Sequence, residues 1–246
     1  MKWKIARATM TGRTHQMTNT KCQDFICQQP SDDFICVVAT DGSGSAKYSM
    51  EGAHFVAEET RDILFERGDT LFELDDDEIR HVVLQNLEEK LRKMANEKKC
   101  SVDEFASTLS FFASNGDDFI VGNLGDGLIG YKDSTGTFCT LLNQERGKYA
   151  NVSFFVTGDN SKSHLRIKRG SFSTSHVYFI MTDGTVECLY NKRTKSYANA
   201  LTVYCGLLDK YEHMQINNAL TTSMYKLFPS RTNDDCALAI IMGKNE

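Results

Sequence analysis

The chain has 246 residues, 41% of them apolar and 25% charged, which is enough to bury a substantial core and short enough for one domain, expected over 1–246. Its formal net charge of -5 argues against the basic surface of a phosphate-backbone binder, so nucleic acid is not an expected partner. Nowhere do eighteen apolar residues run together, and the start, MKWKIARATMTG, lacks a signal-peptide core, so a cytoplasmic chain without membrane contact is expected.

Taken in chain order, residues 2–8, 24–27 and 34–39 read as strands, being short apolar runs rich in β-branched and aromatic side chains. A helix is expected to start near Ser49, with Ala53, Val56, Ala57, Thr60, Ile63 and Leu64 at helical spacing. A second helix opens at Asp75-Asp76-Asp77, whose charges suit the positive end of a helix dipole, and continues through Ile79, Val83, Leu87, Leu91 and Ala95. Strands follow over 106–114, 119–124, 128–132 and 138–142, joined by the turns at 115–117 and 133–136. Residues 143–163 mix Gly, Lys, Arg and Asn around one short strand expected at 152–157, and read as an exposed excursion bordering a site. Strands at 165–168 and 177–181 lead into a second helical block over 195–227. Tyr197, Leu201, Tyr204 and Leu208 are expected in one of its helices, and Met214, Leu220, Met224 and Leu227 in another stopped by Pro229. A last strand spans 236–242. Strands grouped around helix pairs argue for an α+β fold of two mainly antiparallel sheets packed face to face, with helices on the outer faces.

Eight cysteines without a C-x-x-C pair read as buried free thiols. The string Gly125-x-Gly127-x-x-Gly130 matches a dinucleotide fingerprint in form only, because a strand rather than a helix follows it. The sequon at Asn151 and the Arg67-Gly68-Asp69 triplet carry no meaning inside a cell. His54, His81, His164, His176 and His213 read as structural or solvated, while His15 is a candidate for the border of a site.

The chemistry lies in three strand ends. FICVVATDG (34–42) and VYFIMTDG (177–184) both stop at Thr-Asp-Gly, and FIVGNLGDG (119–127) repeats the design. Neighbouring strands would bring Asp41, Asp126 and Asp183 together, and carboxylates that close cannot all ionise without a compensating positive charge, most simply a metal ion. Asp24, beside its own short strand, and Asp234, before the last strand, extend the set. Oxygen-only ligands select hard cations, hence Mn²⁺ or Mg²⁺ rather than Zn²⁺. Two ions sharing a carboxylate can lower the pKa of a water between them and direct it in line at phosphorus. In that arrangement Asp41 bridges, Asp183 and Asp234 complete one ion, and the Gly42 carbonyl serves the other.

The chain resembles the metal-dependent protein phosphatases of type 2C. The residues that carry the likeness run in family order: Gly12, His15 and Cys22-Gln23-Asp24; Asp41 to Ala46 with Glu51-Gly52-Ala53; Ser107-Thr108-Leu109; Asn123 to Gly127; Gly147 to Asn151; Thr182-Asp183-Gly184 with Glu187; and Asn233-Asp234-Asp235. The likeness is nearest to a bacterial subgroup with CQD and DGxGS motifs. It implies a four-layer αββα sandwich, a binuclear Mn²⁺ or Mg²⁺ centre, and hydrolysis of phosphoserine and phosphothreonine in proteins by a metal-bridged hydroxide without a phosphoenzyme. The partner would be a phosphorylated protein, with a Ser/Thr kinase opposing the reaction. By motif position it implies metal roles for Asp41, Gly42, Asp183, Asp234 and Asp24, with Asp126 at a third ion. Asp41, Asp183, Asp24 and His15 form the expected catalytic set.

Three positions depart from the family pattern. Gln23 stands where many members have a Glu, Ser43 where some have a proton-donating His, and Asn19 where an Arg clamps the phosphate. Ser43, Arg13, Lys21 and Lys148 are therefore the expected substrate-binding residues, and His15 the alternative proton donor. The same departures motivate a rival expectation, a silent phosphatase fold that binds phosphoproteins as a scaffold. Retention of Asp41, Asp183 and Asp234 favours activity.

Overall fold

Twelve strands and seven helices build the computed structural model, which describes residues 1–145, 153–211 and 213–244. The first sheet has the order β2 (Asp24–Pro30), β3 (Ile35–Asp41), β4 (Leu109–Ser114), β5 (Asp118–Leu124) and β8 (Arg166–Ser171). The second has the order β1 (Lys2–Met10), β12 (Cys236–Lys244), β9 (Val177–Met181), β6 (Leu128–Lys132) and β7 (Phe138–Leu142). Every pairing within both sheets is antiparallel. The expected α+β sandwich is what the chain forms.

Three apolar cores separate four layers. Ile5, Ile35, Val37, Phe112, Tyr178 and Ile241 mesh between the sheets. Cys36, Val38, Phe111 and Ile120, on the other face of the first sheet, pack against Val56 and Leu64 of α2 (Ser49–Arg67) and Val83, Leu87 and Leu91 of α3 (Asp76–Lys98). Phe179, Leu238 and Ile240, on the outer face of the second sheet, pack against Leu201, Tyr204 and Leu208 of α6 (Asn199–Lys210) and Ile216, Leu220 and Met224 of α7 (His213–Leu227). Strands covered on both faces are apolar at successive positions, which explains the near-continuous runs in β3, β4 and β12.

The helix starts follow their local chemistry. α2 begins at Ser49 as the periodicity expects. Asp75 caps α3 in a capping box, its carboxylate accepting from the Glu78 amide at 2.8 Å while Glu78 accepts from the Asp75 amide at 2.7 Å. α7 ends at Leu227, one short turn before Pro229 is passed.

Two expectations fail. No strand forms over the described part of 152–157. β8 already occupies the free edge of β5, and the segment instead anchors through buried Val156, whose amide donates to Ser107 O at 2.9 Å. Tyr197 lies outside any helix: with Ser196 it forms β11, paired to β10 (Tyr190–Asn191), and α6 starts only at Asn199. The Asn191 side chain accepts from the amides of Arg193 and Thr194 and so builds the turn between them. Three short helices went unanticipated: α1 (Arg13–Thr18), α4 (Ser161–His164) and α5 (Asp183–Leu189).

All eight cysteines are free, as expected. His54 stacks on Phe25 and His176 on Tyr131, His164 pairs with Glu145, and His81 is exposed on α3. No helix among the described residues is long and apolar enough to cross a membrane.

Candidate metal centre

Strand register brings the acidic strand ends to one end of both sheets. In the first sheet Ala39 of β3 lies opposite Ser110, and Leu109 opposite Leu124, so the end of β3 and the end of β5 are two strands apart. In the second sheet Met181, the last residue of β9, faces both Leu128 and Leu238. The turn from β5 to β6 passes between the sheets at this end. At Gly127 a Cβ would sit 2.6 Å from Ser110 Oγ and 3.1 Å from Met181 O, so only glycine lets the two sheet ends close on one another.

Asp41 ends β3, Asp126 occupies the β5–β6 turn, and Asp183 opens α5. One carboxylate oxygen from each lies within 4.8 Å of the other two. The cleft they line has a volume of about 660 Å³, and its wall includes His15, Gln23, Gly42, Ser43, Glu187 and Asp234. Among the expected site residues, Asp41, Gly42, Asp126, Asp183, Asp234, His15 and Ser43 therefore meet in one place.

Asp24 takes a different position. It faces Asp41 across the β2–β3 ladder, is 4% exposed, and does not line the cleft. Its Oδ2 accepts from the Thr182 hydroxyl at 2.5 Å, while Thr182 Oγ1 accepts from the Ala237 amide at 2.8 Å. Asp24 thus supports Asp41 from behind and ties β2 to the residue preceding Asp183. Arg13 and Lys21 do not line the cleft either: Arg13 is exposed on α1 with its Nη1 donating to Pro229 O at 3.4 Å, and Lys21 borders a separate surface hollow beside Lys47. Lys148 falls outside the described residues.

The residue that sequence reasoning undervalued is Asp235. It is 2% exposed and accepts from three donors: the Gly12 amide at 2.7 Å, the Gln23 amide at 2.5 Å and His15 Nδ1 at 2.9 Å. One carboxylate thereby fixes α1, the start of β2 and the His15 ring against the cleft. In the sequence it is one of two adjacent aspartates; only its place directly before the buried strand marks it as the inward one. Ser153 is a second addition, donating to Asp126 Oδ2 at 2.6 Å. α5 is seated by Gly184, where a Cβ would lie 2.1 Å from Asp235 O.

Electrostatics set the chemistry of the cluster. Burial pushes the Asp41 and Asp24 carboxyls well above the ordinary carboxylate range. For Asp41 the neighbouring Asp24 and Asp183 push further the same way; for Asp24 the Thr182 hydrogen bond opposes the rise. Burial, then the charges of Asp126 and Asp234, raise Asp183 to about 7. Asp234, at the cleft mouth, is raised by partial desolvation. The cleft therefore gathers like charges at one point, and every donor atom in the acidic cluster is a carboxylate oxygen. Gln23 Oε1, also on the cleft wall, is buried without a hydrogen-bond partner. An oxygen-only donor set with an orphaned amide oxygen beside it fits a hard divalent cation carrying water.

Comparison with known proteins gives a consistent result. A family model described as protein phosphatase 2C matches residues 11–223. Serine/threonine-protein phosphatase 3 of Escherichia coli (strain K12) is 27% identical over 258 residues, spanning 98% of this chain and 99% of that protein. The solved S. agalactiae serine/threonine phosphatase superposes with a TM-score of 0.69 at 15% identity, covering 99% of this chain and 100% of the other. RsbX, solved in complex with magnesium, gives a TM-score of 0.58 at 14% identity, covering 97% and 94%. At such identities the two structures establish a shared fold.

Proposed function

Because the chain belongs to the protein phosphatase 2C family, we propose that it is a metal-dependent protein serine/threonine phosphatase whose reaction centre is the cleft formed by Asp41, Asp126 and Asp183. The observation that carries this reading is the convergence of those three carboxylates, from three separate elements, within 4.8 Å. When bound, two Mn²⁺ or Mg²⁺ ions would supply a water of lowered pKa aimed at phosphorus and positive charge for the phosphate oxygens.

The protein's own residues would divide the remaining work. Asp41, Asp183 and Asp234, with the Gly42 carbonyl, hold the ions, and Asp126 suits a third. Asp24, opposite Asp41 across the β2–β3 ladder and anchored by Thr182, would steady the Asp41 carboxylate from behind. Asp235 accepts from His15 Nδ1, which leaves Nε2 as the ring atom free to deliver a proton to the departing serine or threonine oxygen. Ser43, on the cleft wall, is placed to donate to a phosphate oxygen. The substrate would be a phosphorylated protein, opposing a Ser/Thr kinase, and the whole chain would act as one phosphatase unit.

The test is hydrolysis of p-nitrophenyl phosphate with added Mn²⁺. Turnover is expected to vanish in EDTA and to fall by about 10²-fold or more in Asp41→Asn and Asp183→Asn. Turnover indifferent to EDTA would refute the mechanism. Mn²⁺ binding without turnover would favour the silent, phosphoprotein-binding module instead.

A further inference from the structure

A second groove, of about 880 Å³, runs along the cleft's flank and shares Glu187 with it. Its walls come from the end of α5, the β10–β11 hairpin and the turn at Arg231. Lys192, Arg193 and Arg231 line it, and Lys195 stands on the same hairpin turn. Among the described residues none of these four cations forms an ion pair with a carboxylate. The contact recorded for these side chains is Arg231 Nη1 donating to Cys188 O at 3.4 Å. In a chain of net charge -5, a groove lined by three cations without ion pairs among the described residues, with a fourth on its hairpin, is a local reversal of sign beside the acidic cleft.

The hairpin that carries these charges is well braced. Tyr190 and Tyr197 face each other across it with ring centroids 4.8 Å apart, and the Tyr197 hydroxyl shares a 2.6 Å hydrogen bond with Thr140 Oγ1. Asn191 Oδ1 accepts from the amides of Arg193 and Thr194, and Lys195 adopts the left-handed conformation at φ 53°. The turn is thus held in one shape while its side chains reach into solvent. A fixed backbone turn leaves only side-chain freedom to be lost on meeting a partner, and at physiological salt the cations act on charges within about 8 Å.

We propose that this groove receives an acidic segment of the protein substrate, a few residues from the phosphoserine or phosphothreonine seated in the neighbouring cleft. The inference rests on the phosphatase reading and adds a specificity to it. An extended chain advances about 3.3 Å per residue, so carboxylates about two to six positions from the phosphorylated residue lie about 7–20 Å from it, and in this proposal they are set against Lys192, Arg193 and Arg231. Glu187, on the shared wall and held by the Thr232 hydroxyl at 2.8 Å, separates the two sites and disfavours acidic residues immediately next to the phosphate.

The experiment measures kcat/KM on phosphothreonine peptides bearing Asp at those positions, on either side, against the same peptides with Asn. The wild type is expected to favour an acidic flank by about tenfold, with the preference shrinking at 0.5 M NaCl. Lys192→Glu combined with Arg193→Glu, on an exposed turn, is expected to bring the ratio to one or below. Because the ratio is taken within each enzyme, a general loss of activity cancels. Equal rates on acidic and neutral peptides, or an undiminished preference in the double variant, would overturn the proposal. Wild-type turnover of p-nitrophenyl phosphate judges the phosphatase reading separately; were it absent, fluorescence-anisotropy binding of the same peptide pairs would still decide the groove by the same criterion.

Discussion

At the scale of single residues, the site is an arrangement of carboxylates that would rather not be ionised together. Asp183, raised to about 7 from an ordinary 3.8, keeps a proton in the metal-free native state that the unfolded chain has already released. Its contribution to stability is therefore whole below about pH 4 and is lost as pH rises toward 7. The melting temperature of the metal-free wild type, measured relative to Asp183→Asn, is expected to decline across that window. Excess Mn²⁺ at pH 7.5 is expected to reverse the decline, because ligand binding to the native state adds stability. A difference that stays flat with pH would contradict the burial assigned to Asp183. Asp41, Asp126 and Asp183 were legible in the sequence because each ends an apolar run. Asp235 was not, because what distinguishes it from Asp234 is a set of hydrogen-bond donors contributed from more than 200 positions away.

At the scale of elements, the site depends on how closely α5 seats against the start of β12. Gly184 has no room for a methyl group, with Asp235 O 2.1 Å from where its Cβ would lie. Gly184→Ala is expected to shift α5 and with it Asp183, lowering kcat by about tenfold to a hundredfold, with a smaller change in KM for p-nitrophenyl phosphate. Unaltered kinetics would show that the helix start tolerates displacement. Elements with a strong periodic pattern, such as α2, α3, β3 and β9, were legible nearly to the residue. α5 was hidden because Thr-Asp-Gly reads equally well as a turn or as a helix start, and Thr182 in extended conformation supplies the latter. The strand expected at 152–157 had the right composition, but β5 is already paired on both sides, by β4 and β8, which is a fact about the sheet and not about the segment.

At the scale of the whole molecule, the layer order was legible and the strand order was not. Apolar runs between two amphipathic helix pairs call for two sheets with helices outside, but nothing local says that β1 pairs with β12 or that β6 sits between β7 and β9. That long-range pairing is what carries Asp183 and Asp234 to the sheet end already holding Asp41 and Asp126. The central claim is that this meeting point is a divalent-cation site, and a crystal soaked in Mn²⁺ and measured at the manganese absorption edge tests it most directly. The account predicts anomalous peaks about 2.0–2.2 Å from carboxylate oxygens of Asp41 and Asp183, one of them also reached by Asp234. Peaks confined to other surfaces, with the Asp41, Asp126 and Asp183 cluster empty at saturating Mn²⁺, would contradict it.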